Sequence, residues 1–306
     1  MTRTARTRKH RGFDLEARLA PVEQWIERDP AAWRGRWRTW MPESRAIVSE
    51  RELGDAPSSD GATQGQPWRA VHVDLGCGKG EFAIGMAKAN PDVLFIGIDS
   101  EPVCAMHGGE CACAAQVENA VFTIDEQPDM LRLFAPAEVD AIYLNFSTPH
   151  PKRKHATQRL TYVDRLIAYR RILAPDGFLF VKTDSDPFMQ FTRSQLELAG
   201  YTVVWETDDC QRLRPDDPQT QYERKLVARG AKVLALKAVP NGGPLPNPAE
   251  IEQTQPLSLY AYLPDDLDAL EYVPHGMNAG VENERYRRHR EAEKNNGVVT
   301  EFWTRA

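Results

Sequence analysis

Seven short, largely apolar runs recur along the chain, at residues 71–75, 93–98, 121–124, 141–146, 178–181, 202–205 and 233–236. A continuous apolar run of this length reads as a strand buried on both faces. Such strands, separated by helical stretches, build a mostly parallel sheet with helices on both sides. The spacing predicts a helix over 81–89, directly after the first strand. The expected fold is therefore α/β, with a seven-stranded mostly parallel sheet.

The flanks read differently. Residues 1–12 hold Arg3, Arg6, Arg8, Lys9 and Arg11 without an acid. Residues 13–41 carry Trp25, Trp33, Trp37 and Trp40, which suggests helices packed onto the core. Residues 42–68 are polar and include Ser58-Ser59-Asp60-Gly61, a loop signature. Residues 240–249, rich in Pro and Gly, read as a linker, followed by a polar tail in which 282–295 suits a charged helix.

The net charge of −6, from 38 Lys and Arg against 44 Asp and Glu, does not by itself suggest a nucleic-acid partner. Distribution matters more than the sum. The N-terminal arm is basic, and a second basic cluster comprises Lys152, Arg153, Lys154, His155 and Arg159. No apolar run is long enough to span a membrane, and no apolar segment follows the N-terminal charges as in a secretory leader, so a cytoplasmic protein is expected. The five cysteines are odd in number and irregular in spacing, which fits neither a disulfide framework nor a zinc site. No metal is expected.

The first strand runs into Asp74-Leu75-Gly76-Cys77-Gly78-Lys79-Gly80. Glycines after a buried strand let the backbone turn sharply and approach a ligand. No Gly-Lys-Ser/Thr follows, and the G-x-G-x-G spacing differs from the dinucleotide fingerprint, which disfavours a nicotinamide-dependent dehydrogenase. An acid at the strand end suits a cationic ligand better than a pyrophosphate. Asp99 ends the second strand, where it is placed to accept ribose hydroxyls, and Asp125 or Glu126 follows the third. Acids at three successive strand ends fit S-adenosyl-L-methionine (AdoMet), with its sulfonium and ammonium charges.

At the fourth strand the pattern becomes specific. Tyr143-Leu144-Asn145-Phe146-Ser147-Thr148-Pro149-His150-Pro151-Lys152 resembles the Y-L-N-F-S-D-P-W-P-K signature of the bacterial tRNA (guanine-N(7)-)-methyltransferases. Arg159-Leu160-Thr161-Tyr162, Lys182-Thr183-Asp184 and Thr220-Gln221-Tyr222-Glu223-Arg224-Lys225 continue the resemblance in order. It implies a class I Rossmann-like methyltransferase that moves a methyl group from AdoMet to N(7) of a guanosine in the tRNA variable loop. It covers roughly 33–239 as the methyltransferase domain. Outside it lie a basic arm and helix, 1–32, and a linker with a polar C-terminal extension, 240–306.

The resemblance implies cofactor contacts from Asp74, Gly76, Gly78, Gly80, Asp99, Asp125 or Glu126, and Thr148. It implies substrate contacts from Lys152, Asp184, Thr220, Gln221, Tyr222 and Glu223, and RNA phosphate contacts from Arg153, Lys154, His155 and Arg159. Thr148 and Asp184 stand at the positions expected to serve catalysis. Two departures are marked: Thr148 replaces the family's Asp, and His150 its Trp. Guanine N(7) carries a lone pair and no proton, so transfer needs positioning and charge rather than a general base. Asp184 is expected to supply the charge, and His150 to stack on a base. Thr148 also leaves open a member that binds AdoMet or RNA and transfers weakly.

Overall fold

The computed structural model describes residues 13–42, 67–124, 129–274 and 276–295. Its centre is an eight-stranded sheet: β1 (Ile26–Glu27), β2 (Ala70–Leu75), β3 (Val93–Asp99), β4 (Ala120–Ile124), β5 (Val139–Asn145), β6 (Leu173–Thr183), β7 (Tyr201–Thr207) and β8 (Leu234–Pro240). Their spatial order is β1-β4-β3-β2-β5-β6-β8-β7. Pairing is parallel from β1 to β6, and β8 runs antiparallel to both of its neighbours.

Strand alternation sorts side chains into two apolar layers. Val73, Leu94, Ile96, Val121, Ile142, Leu144, Leu179 and Val181 face one side. Phe95, Phe122, Ala141, Tyr143 and Phe180 face the other. The helices α1 (Leu15–Leu19), α2 (Glu81–Ala89) and α3 (Pro102–Ala115) serve the second layer. The first is covered by α4 (Val163–Ile172) and α5 (Asp186–Leu198), through Leu166, Ile167 and Met189. Both faces are covered over the centre of the sheet, which is why β3 and β4 show no polar alternation, whereas the edge strand β7 alternates between covered and exposed residues.

The sheet has one strand more than the seven expected. β1 is two residues long and pairs with β4 at the sheet edge, inside the tryptophan-rich stretch read as helical. That stretch has one five-residue helix; the rest is three 3₁₀ turns, Ala20–Trp25, Pro30–Trp33 and Trp37–Thr39, and extended chain. Its tryptophans act as separate anchors. The Trp25 indole donates to the Val117 carbonyl at 2.7 Å, and that of Trp37 to Leu133 at 3.0 Å.

The C-terminal extension packs against the domain. Arg170 donates to the Pro244 carbonyl at 3.1 Å and pins the segment after β8. Leu259, Leu263, Leu267, Met277 and Val281 then form a third apolar cluster with Phe188 and Phe191 on the outer side of α5. The last helix, α7 (Asn278–Asn295), begins four residues before its expected start. No helix among the described residues is long and apolar enough to cross a membrane.

Candidate active site

From β2 the chain steps to β3 and β4 on one side of the sheet, and from β5 to β6 on the other. The carboxyl ends of β2 and β5 therefore flank a topological switch point, where open α/β sheets bind ligands. Two hollows open there. One, about 490 Å³, is lined by Asp74, Lys79, Phe82, Asn145, Tyr222 and Lys225 among others. The second, about 550 Å³, is lined by Asp99, Ser100, Glu101, Ser147, His150 and Arg165 among others. Gly76, Phe146 and Thr148 border both.

The glycine loop is built for close approach. Gly80 has φ +76°, and an added Cβ would lie 2.6 Å from the Phe122 ring and 2.9 Å from Gly108 Cα, so only glycine fits between α2 and its neighbours. Asp99 holds the loop from β3. Its Oδ2 accepts from the Gly78 N–H at 2.9 Å, and its Oδ1 from the Glu101 N–H at 2.9 Å.

Asp74 is sealed beneath this loop, 1% exposed. Its Oδ1 accepts from Asn145 Nδ2 at 3.2 Å, while its Oδ2 and the Asn145 Oδ1 have no donor. Burial, with a smaller push from the Asp99 charge, raises the Asp74 carboxyl to about 7. Two buried acceptors without donors, beside a hollow, call for a hydrogen-bond donor from a ligand, and a cationic one favours the ionised Asp74.

The loop after β5 is strained. Phe146 and His150 have φ of +51° and +43°, a conformation that costs non-glycine residues free energy and is kept where surroundings enforce it. Thr148 between them is exposed. Opposite stands α6 (Gln221–Val227), whose Tyr222 ring meets Phe146 edge-on with centroids 5.7 Å apart.

The family model described as "Putative methyltransferase" matches residues 68–236. The tRNA (guanine-N(7)-)-methyltransferase of Geobacillus kaustophilus (strain HTA426) is 33% identical over 223 residues, 72% of this chain and 92% of that protein. The chain belongs to the tRNA (guanine-N(7)-)-methyltransferase family. The relative from Lactococcus lactis subsp. cremoris (strain MG1363) is 31% identical over 225 residues, with the same shares covered. That from Brevibacillus brevis is 33% identical over 170 residues, 55% of this chain and 79% of that protein. The protein is thus an AdoMet-dependent enzyme with the class I methyltransferase fold.

The residues present fit AdoMet. The unpaired acceptors of Asp74 and Asn145 suit its ammonium, and the Asp99–Glu101 wall suits its ribose hydroxyls. Asn145, within the family-like motif, joins Asp74 on the wall of the first hollow through its amide hydrogen bond. Asp125 and Glu126 lie outside the described residues, as does the basic arm.

The expected substrate and RNA residues separate into two kinds. Gln221 and Tyr222 line the first hollow. Thr220 lines it too, and its hydroxyl caps α6 by accepting from the Glu223 N–H at 3.0 Å. Glu223, expected at the substrate, instead turns inward: it is 2% exposed and pairs with the equally buried Lys182 at 3.4 Å. A buried carboxylate needs such a partner, so this pair anchors α6 to the end of β6. Asp184 follows β6, half-buried, outside the walls of both hollows.

The basic segment also divides. Lys152, Arg153 and Lys154 are exposed at the start of a 3₁₀ turn, and His155 is half-buried beside His150. Arg159, expected on RNA, is fully buried and has no access to a phosphate. It donates to the Pro149 and His150 carbonyls at 2.9 and 2.8 Å and stacks over Phe191 at 4.2 Å. Its role is to hold the strained loop in place.

Proposed function

We propose that this enzyme methylates N(7) of a guanosine in the variable loop of tRNA, drawing on AdoMet. The observation that carries the reading is the meeting of two hollows at Gly76, Phe146 and Thr148. Around that meeting stand the buried acceptors of Asp74 and Asn145, the acid wall at Asp99 and the exposed ring of Tyr222. The names of the relatives support tRNA as the substrate class.

AdoMet supplies an electrophilic methyl group. The chain's own residues bind and orient. Asp74 and Asn145 receive the ammonium end, and the glycine loop, drawn down by Asp99, lets the backbone lie close beneath the ligand. Tyr222 offers a ring face on which a purine can stack. Guanine N(7) has no proton to lose, so the wall needs no general base. The purine becomes more positive as its new bond forms, and carboxylates nearby favour that charge. Asp184 acts from behind Tyr222, whose phenol pKa is raised by burial and by the Asp184 charge. Lys152, Arg153 and Lys154 face solvent next to the loop and suit the phosphates of a folded RNA.

Nucleoside mass spectrometry of unmodified tRNA incubated with the protein and AdoMet tests the reading. 7-Methylguanosine is expected to accumulate. Intact tRNA that gains none contradicts it.

A further inference from the structure

The matched family region ends at residue 236, yet the chain beyond it returns to the candidate site. The Leu259 N–H donates to the Pro151 carbonyl at 2.9 Å, on the loop that carries Thr148 and His150. Ser185 Oγ donates to Met277 Sδ at 3.6 Å. The Tyr272 hydroxyl donates to Asp184 Oδ2 at 2.5 Å.

We infer that Tyr272 is a positioning residue for Asp184, so that the C-terminal extension completes the substrate side of the site. The inference rests on the proposed reading that the Asp184 charge acts on the guanosine from behind Tyr222. A carboxylate just past a strand end has several rotamers, and a short charge-assisted hydrogen bond from an anchored donor selects one. Tyr272 is anchored. Leu270 and Val273 beside it pack into the third apolar cluster, and Arg285 donates to the Leu267 carbonyl at 2.6 Å just upstream. Burial and the Asp184 carboxylate hold its phenol pKa well above the usual value, so the hydroxyl stays a donor. Tyr272 in turn feels Tyr222, which joins the three side chains electrostatically, with Tyr222 alone of the three on the wall of the first hollow.

The full-length Tyr272→Phe variant tests this, because it keeps the ring and its packing and removes only the donor. Single-turnover methylation of tRNA under subsaturating conditions is expected to fall about tenfold. The dissociation constant of AdoMet, read by calorimetry, is expected to stay within about twofold. In an Asp184→Asn background the same change is expected to cost less than about twofold, since a residue that acts through Asp184 has little left to act on. Equal losses in both backgrounds, or no loss in the wild-type background, overturn the assignment. An inactive wild-type enzyme overturns the tRNA reading and this inference with it, whereas an active wild type matched by Tyr272→Phe overturns this inference alone.

Discussion

Asp74 is a carboxyl group almost wholly withdrawn from water. Buried with one oxygen lacking a donor, it holds its proton up to about 7. On the proposed reading the ammonium of AdoMet needs the ionised form, so affinity belongs to pH above about 7 and is lost as pH falls through it. Calorimetry is expected to show the dissociation constant rising about tenfold per unit below that point, a one-proton linkage. Asp74→Asn is expected to bind more weakly and with a flat profile; a wild type flat from pH 5 to 8 contradicts this assignment. Thr148 is the opposite case, exposed where the two hollows meet. Thr148→Asp puts a carboxylate beside the developing cationic purine and is expected to raise single-turnover methylation about tenfold, roughly 1.4 kcal/mol of barrier. A folded variant slower than wild type shows that the site does not reward charge there.

At the scale of elements, Thr220-Gln221-Tyr222-Glu223 shows what sequence can and cannot say. The motif marks the right place, a helix start at the rim of the hollow. Residue types do not reveal that Tyr222 faces outward while Glu223 meets Lys182 inside; only the turn of the helix decides it. The burial of Arg159 escapes the sequence for the same reason, because a basic run records charge and not burial. Lys182→Met leaves the buried Glu223 without its charge partner and is expected to cost about 3–5 kcal/mol in urea unfolding. Adding Glu223→Leu is expected to recover most of that, and failure to recover it means the pair does more than anchor α6. Replacing the exposed Lys152, Arg153 and Lys154 together is expected to lower the salt slope of tRNA binding by roughly 2–3; an unchanged slope removes this turn from the interface.

For the whole molecule, the sheet was legible because strands buried on both faces, such as 93–98 and 141–144, are apolar without interruption. β1 was not, since two residues carry no periodicity. The extension was read as polar because Leu259, Leu263 and Leu267 are spread among prolines and acids, and their common face appears only against Phe188 and Phe191. Leu259 is fully buried there, so Leu259→Ala is expected to cost about 2–5 kcal/mol. A cost near zero means the extension is only loosely laid on α5. The central claim is the transfer itself, tested most directly with AdoMet carrying a deuterated methyl group and an unmodified tRNA transcript, with the product mapped by mass spectrometry. The account predicts one labelled 7-methylguanosine, in the variable loop, and none when that guanosine is replaced by adenosine. Label on another atom or outside the variable loop, or no label in intact tRNA, contradicts it.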